Sequence, residues 1–289
     1  MYYVDEAIVE ALKRANTQRA WVPTGDQSTA VELLKKGVSG KISLAAVQGP
    51  PGTGKTSVVS RFAEEQLPDI ITSNERILIM YISPTNYLVH KAYIDIVAAL
   101  IKRGIDVQTI LRSTRIYGSR IWPFREARTE WKFNDEIVSK QLLKDSMGAI
   151  DPDEVRMIFT TEYQRIAGRL ADVERSYEHI HIIADEASKS PYFRIFLPLA
   201  DKLARNPEMY PKSLLVLGDP EQAITVPEEF KEYRVPLLMK YVRNVLKNHG
   251  LYNKRWKMLT LSFRLPSPCL LYTSPSPRDL STSRMPSSA

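Results

Sequence analysis

The chain is nearly devoid of cysteine. Cys269 is the one thiol in 289 residues, which excludes an internal disulfide and a cysteine-built metal cluster. Four histidines are present, His90, His179, His181 and His249, and none stands at metal-ligand spacing from another. No apolar run approaches the ~20 residues needed to cross a bilayer. The opening MYYVDEAIVEALKR has no apolar central segment, which excludes a secretory signal there. No stretch repeats another. Neither charge sign dominates: 40 Lys+Arg against 33 Asp+Glu leave +7, a mild excess that permits a polyanionic partner without requiring one. Hydrophobic residues make up 44% and charged residues 25%, so a wholly disordered or collagen-like chain is excluded. We therefore expect a soluble, cytoplasmic protein with no membrane partner.

What is present is a rhythm. Residues 5–15 and 27–36 read as helices. ISLAAVQ (42–48), ILIMYIS (77–83), VRMIFTT (155–161), HIHIIAD (179–185) and LLVLGD (214–219) are short apolar runs that read as buried strands. Between them, a helix is expected from Lys55 to about Gln66 and another over 87–103. Near-continuous apolar strands alternating with helices indicate an α/β domain, a parallel sheet with helices on both faces. Residues 111–150 break the pattern. Arg112, Arg115, Arg120, Arg125, Arg128 and Lys132 are interleaved there with Tyr117, Trp122, Phe124, Trp131 and Phe133. The stretch reads as an inserted basic and aromatic subdomain. It suits a nucleic-acid groove, with cations along phosphates and rings against bases, and equally a solvated face over a small apolar cluster.

The strongest motif is Gly49-Pro50-Pro51-Gly52-Thr53-Gly54-Lys55-Thr56, followed by Ser57. It fits G-x-x-x-x-G-K-[ST] and lies between an expected strand and an expected helix, where its mechanism requires it. The glycines let backbone N–H groups wrap a phosphate, and the helix N-terminus adds positive potential. Lys55 would reach the β- and γ-phosphates of ATP, and the Thr56 hydroxyl would bind Mg²⁺. A second element, the strand ending in Asp185-Glu186-Ala187-Ser188, has the Walker B form. Asp185 would hold the Mg²⁺ ion, and Glu186 would orient and deprotonate the attacking water.

Together, QGPPGTGKT and DEAS resemble superfamily 1 helicases, especially the branch typified by the nonsense-mediated-decay RNA helicase. The order of weaker motifs is similar. Gln27 resembles the adenine-reading glutamine of the Q motif, although it also suits a solvated helix start. Pro84-Thr85-Asn86 resembles motif Ia, which grips the nucleic-acid backbone, although Thr85 and Asn86 also suit a helix cap. Thr160 and Thr161 sit where motif Ic places a backbone-contacting threonine. Gly218-Asp219-Pro220-Glu221-Gln222 resembles motif III, whose glutamine senses the γ-phosphate; a surface-loop role is the alternative for Gln222. Leu261-Ser262-Phe263-Arg264 resembles motif IV, whose arginine touches the γ-phosphate from a second RecA-like domain. Ser262 departs from the family's usual glutamine, and Arg264 could equally be a surface arginine.

From residue 269 the composition changes abruptly to Ser and Pro. Cys269 through Asp279 and Ser283 through Ala289 resemble the translation of a transposase-based sequencing-library adapter, with a variable index between them. The expectation is a non-native tail at 269–289. Removing it takes away Arg278, Arg284, Asp279 and the one cysteine, and lowers the net charge of +7 by one.

The resemblance implies a P-loop NTPase of the RecA-like type, with an N-terminal helix in 1–20 and the ATPase domain in 21–253. Residues 254–268 are expected to open a second, missing RecA-like domain. The implied activity is ATP hydrolysis coupled to movement along single-stranded DNA or RNA, by a monomer in the intact protein. The alternative is a P-loop switch or remodelling ATPase that clamps nucleic acid or protein without unwinding it. A metabolic P-loop kinase fits the later motifs poorly.

Overall fold

The computed structural model describes residues 4–17, 22–117, 130–133, 136–139, 150–161, 176–188, 196–205, 212–222 and 238–261. The helices are α1 (Val4–Thr17), α2 (Gly25–Val38), α3 (Lys55–Thr72), α4 (Asn86–Lys102), α5 (Val107–Ser113), α6 (Leu197–Arg205), α7 (Leu238–Asn248) and α8 (Tyr252–Arg255). The strands are β1 (Leu44–Gln48), β2 (Ile77–Ser83), β3 (Thr114–Tyr117), β4 (Glu130–Phe133), β5 (Glu136–Ser139), β6 (Met157–Thr161), β7 (His179–Ala184), β8 (Ser213–Gly218) and β9 (Trp256–Met258). Seven strands form one sheet in the order β3-β6-β2-β7-β8-β1-β9, and every pairing in it is parallel. β4 and β5 pair antiparallel as a separate ribbon.

The strands read as apolar throughout because both faces are covered. On one face Ala45, Val47, Ile79, Tyr81, Phe159, Ile183 and Leu215 pack under α1 to α5. On the other, Leu44, Ala46, Leu78, Met80, Ile182 and Val216 meet Phe196, Ala200 and Leu203 near and in α6, and Met239, Val242 and Leu246 of α7. The period-two alternation along each strand therefore assigns successive side chains to two cores. The expected α/β class, a parallel sheet with helices on both faces, is what the chain forms.

Several boundaries differ from expectation. α3 runs to Thr72, through Pro68, past the expected end near Gln66. Phe62, Leu67 and Ile70 are buried under it, and that apolar face continues past the proline. The start of the supposed insertion belongs to the main domain. Ile110 and Leu111 are buried in α5, and 114–117 form the edge strand β3 beside β6. Arg115 is not a groove cation as it stands: it is 4% exposed, and its Nη1 donates to the carbonyls of Leu111, Arg112 and Thr114, satisfying the last turn of α5. Nor do the described residues at 254–261 open another sheet, since 256–258 add to this same sheet beside β1. Trp256 explains this, being buried among the second core with its Nε1 donating to Gln48 Oε1. α1 is likewise no separate element, because Ala7, Ile8, Ala11 and Leu12 share the first core. Of the other insertion cations, Arg120, Arg125 and Arg128 lie outside the described residues, as do all residues from 262 onward, the expected tail at 269–289 included.

α2 approaches β8 closely at a glycine. A Cβ on Gly37 would stand 2.5 Å from one Leu215 methyl and 3.1 Å from its Cγ, and Leu215 is fully buried. Gly37→Val should therefore destabilise the fold by about 1–3 kcal/mol through overpacking. Urea unfolding checks this; an unchanged midpoint would contradict the close approach.

Candidate functional site

β7, β8 and β1 are neighbours, and the loops that follow them all leave the same edge of the sheet. The loop after β1 carries Gly49 to Thr56, the loop after β7 carries Asp185 and Glu186, and the loop after β8 carries Asp219. Crevices at the carboxyl edge of such sheets are where ligands bind.

Gly52 and Gly54 have φ of 78° and 84°, which L-residues with side chains rarely adopt. Gly54 in the left-handed region turns the chain directly into α3, so Lys55 is its first residue. Lys55 is 6% exposed, and its Nζ donates to Gly49 O at 2.7 Å and Pro50 O at 3.4 Å. The Thr53 hydroxyl donates to Pro50 O at 2.8 Å, closing the loop on itself. Gly49 N–H donates to Gly218 O at 3.0 Å, which ties the loop to the end of β8. Pro51 is exposed and Gly52, Thr56 and Ser57 are half-buried at the mouth.

Gln27 is 1% exposed and clamps this loop from α2. Its Nε2 donates to Thr53 O at 3.0 Å, and its Oε1 accepts from Thr24 N–H at 2.9 Å. The second bond completes a capping box with Thr24 at the start of α2. The glutamine expected to read adenine is thus not a solvated helix start. It joins a helix cap to the phosphate loop. The Thr24-x-x-Gln27 spacing carried that signal.

Asp185 is 2% exposed. Its Oδ2 accepts from Tyr81 OH at 2.6 Å and its Oδ1 from Glu186 N–H at 2.8 Å. Burial, and next the Glu186 charge, push its carboxyl above the ordinary value; the Tyr81 hydroxyl and Lys55 pull it back. Burial and Asp185 likewise push the Tyr81 phenol well above its usual range. Tyr81 went unnoticed in the sequence because it sits inside an apolar strand run. Its ring lies 5.7 Å from Phe159, which itself meets Tyr93 edge-on at 5.1 Å. Glu186 has φ 53°, the one described non-glycine residue at positive φ, a strain of about 1 kcal/mol held by its own N–H bond and by Ala187 N–H on Leu217 O. Ser188 Oγ accepts from Asp219 N–H at 2.7 Å, so the loops after β7 and β8 are joined directly.

The outlying candidates fare differently. Thr85 is exposed and caps α4, accepting from Leu88 N–H at 3.3 Å, with half-buried Pro84 and Asn86 on either side. Thr160 is fully buried, with its hydroxyl on Thr161 O, and Thr161 is 6% exposed. Thr160 therefore offers no exposed side chain among the described residues, and Thr161 offers little. The side chain of Gln222, at the end of a 3-10 turn over Pro220–Gln222, and all of Arg264 lie outside the described residues.

No family model matches the chain, and no curated protein matches it. Among solved structures it is similar to the DUF1998 helicase MrfA bound to DNA, at 14% identity over 88% of this chain and 28% of that one, with a TM-score of 0.48. It is also similar to unliganded Pif1 from Bacteroides sp, at 16% identity over 91% of this chain and 48% of that one, with a TM-score of 0.34. Bacteroides Pif1 bound to ssDNA gives 15% identity, 88% and 45% coverage and a TM-score of 0.33. The chain therefore spans less than half the length of each of these proteins. Identities this low carry no function from one chain to another. No helix among the described residues is long and apolar enough to cross a membrane.

The Asp185 carboxyl yields a pH prediction. Because its folded pKa is raised, the folded state holds this proton more tightly than the unfolded chain. Stability from this group is then lost as pH rises from the free carboxylate value near ~3.9 through the raised one. Tyr81→Phe removes a donor to the charged form and should widen the window, while Asp185→Asn should remove this contribution. Urea unfolding across acid pH measures it; equal slopes in all three proteins would contradict the assignment.

Proposed function

We propose that the chain is the ATP-hydrolysing motor domain of a superfamily 1 helicase or translocase acting on single-stranded DNA or RNA. The observation that carries the reading is the joining of three motifs at one sheet edge, through Gly49 N–H on Gly218 O and Asp219 N–H on Ser188 Oγ. A nucleotide-binding loop, an acid pair and a third loop linked to both are the parts needed to couple phosphate chemistry to movement.

The residues suit ATP·Mg²⁺. A buried lysine at a helix N-terminus and two glycines at positive φ form a phosphate cradle; a Cβ on Gly49 would stand 2.3 Å from Thr53 Oγ1. Among the described residues no three acidic, histidine or cysteine side chains cluster as a metal cage. Thr56 and Asp185 would instead share the ion with phosphate oxygens, as is usual for Mg²⁺. The bound ion would neutralise charge on the β- and γ-phosphates. Lys55 would exchange the Gly49 and Pro50 carbonyls for phosphate oxygens. Asp185 would be held in orientation by Tyr81, and Glu186 would take a proton from the attacking water. The Ser188–Asp219 bond would pass rearrangement at the acid pair to the turn ending in Gln222. Pro84, Thr85 and Asn86, at the same sheet edge, would meet the nucleic-acid backbone.

In this reading the site is completed by further arginines of a second motor domain, beside Arg264, the candidate that this chain carries. Such an arginine is worth roughly 10³–10⁵ in rate. The 289-residue chain should therefore bind ATP·Mg²⁺ but turn it over very slowly. Lys55→Ala should abolish binding, and Glu186→Gln should preserve it. Fluorescent-nucleotide titration and phosphate release measure the two. Fast ATP turnover by this chain alone, stimulated by single strands, would contradict the two-domain reading. ATP turnover without strand displacement by a two-domain form would favour the switch ATPase instead.

A further inference from the structure

Residues 238–261 carry Lys240, Arg243, Lys247, Lys254, Arg255 and Lys257, and not one Asp or Glu. They build α7, α8 and β9, so the run covers part of the second core and the β9 edge of the sheet. The spacing on α7 sets out a ridge. Leu238, Met239, Val242, Val245 and Leu246 are buried, while Lys240, Arg243 and Lys247 recur at i, i+3 and i+7 on the other face. That ridge is ~10 Å long, from the helical rise of about 1.5 Å per residue. Lys247 Nζ lies 5.2 Å from the centre of the Tyr252 ring, which stacks on Trp256 at 5.5 Å. These contacts bring the end of α7 against α8 and β9, where Lys254 is exposed and Arg255 and Lys257 are half-buried.

Charge on this side is not balanced as it is on the other. Under α1 to α5, Arg14 pairs with Glu10 and Asp95, Lys35 and Arg61 with Glu65, and Arg103 with Glu64. On α7, Arg243 has only a distant partner, Glu221 at 3.5 Å. Asp201 of α6, 3.8 Å from His249, is already taken by Arg205 at 2.9 Å. The side chains of Lys240, Lys254, Arg255 and Lys257 make no hydrogen bond or ion pair among the described residues. Like charges gathered this way repel one another, and a polyanion is the partner that offsets them.

The remaining chemistry selects the polyanion. A lipid surface takes up a helix by its apolar face, and that face of α7 is spent on the second core. A single strand is gripped by rings stacked on its bases. Here Tyr252 and Trp256 stack on each other, and Trp256 is 5% exposed. What the side offers is cations alone, which suit the backbone of a duplex, with one charge per ~1.7 Å of its axis. We propose that α7, α8 and β9 form a second nucleic-acid surface, which binds the phosphate backbone of a duplex without reading its sequence. It lies over the second core, whereas α3, which begins at Lys55, lies over the first, so the nucleotide site stays open. The proposal stands on these charges and not on the ATPase reading.

The probe is a fluorescein-labelled DNA duplex of about 20 base pairs, two helical turns, followed by anisotropy with the 289-residue chain. Binding should saturate at about 50 mM salt and fall steeply towards about 200 mM. Lys240→Gln with Lys254→Gln should weaken it about tenfold or more and flatten the log–log salt slope by about 2. Lys240→Arg with Lys254→Arg should keep both at the parent values, which separates charge from folding. Lys36→Gln with Lys102→Gln removes the same charge over the first core and should change little. No duplex binding at about 50 mM salt, an undiminished slope in Lys240→Gln with Lys254→Gln, or an equal loss in both Gln pairs overturns the proposal. So does a preference for single strands, or for anionic lipid vesicles, that depends on Lys240 and Lys254. No nucleotide is added, so the result is read apart from that of the ATP titrations.

Discussion

Strand β8 lies between β7 and β1, and its register decides what its neighbours can present at the carboxyl edge. Gln48 stands opposite Gly218, and Ala184 opposite Val216. Gly49 therefore leaves its strand level with Asp219, and Asp185 leaves level with Leu217 two residues earlier on β8, although the three are far apart in sequence. Hydrogen bonds then lock the three loops: Gly49 to Gly218, Ala187 to Leu217, and Asp219 to Ser188. Gly218 is required at the centre, where a Cβ would stand 2.6 Å from Ser188 Oγ and 3.3 Å from Ala187 N. A one-residue slip of β8 would send its side chains to the wrong core and separate the loops together.

Around that register the helices act as fixed mounts. α3 begins at Lys55 because Gly54 turns left-handed, and α2 holds the same loop through Gln27. Glu65 pairs with both Lys35 of α2 and Arg61 of its own helix, at 2.5 Å each, and Arg103 at the end of α4 pairs with Glu64 at 3.1 Å. These partly exposed pairs contribute little individually, about 0–1 kcal/mol, but they join three helices over one face of the sheet. The Asp185 side is mounted differently, by the buried Tyr81 hydroxyl and the ring packing of Tyr81 on Phe159.

The phosphate loop and the acid pair were legible in the sequence because each is a local spacing of residues that only a strand end and a helix start can satisfy. The sheet was legible for the same kind of reason, as runs such as ILIMYIS leave no polar face. Long-range relations were not. Arg115 counted as an insertion cation by composition, yet it closes the last turn of α5, and only tertiary burial distinguishes the two. Tyr81 was hidden by its own apolar strand. Thr160 suited a surface contact by motif order and is sealed between neighbouring strands instead. Trp256, three residues of strand with a buried ring, joined the first sheet where motif order suggested another. In each case the deciding contact lies far away in sequence.

The proposed site requires that residues following β1 and β7 hold one nucleotide and one divalent ion together. Mn²⁺ in place of Mg²⁺, added with ATP, tests it through paramagnetic broadening of backbone amide signals. Thr56, Asp185 and Glu186 should broaden first and together, with residues at the strand starts, such as His179, unaffected. Broadening confined to one loop, or spread over surface carboxylates while Thr56 and Asp185 remain sharp, would contradict it.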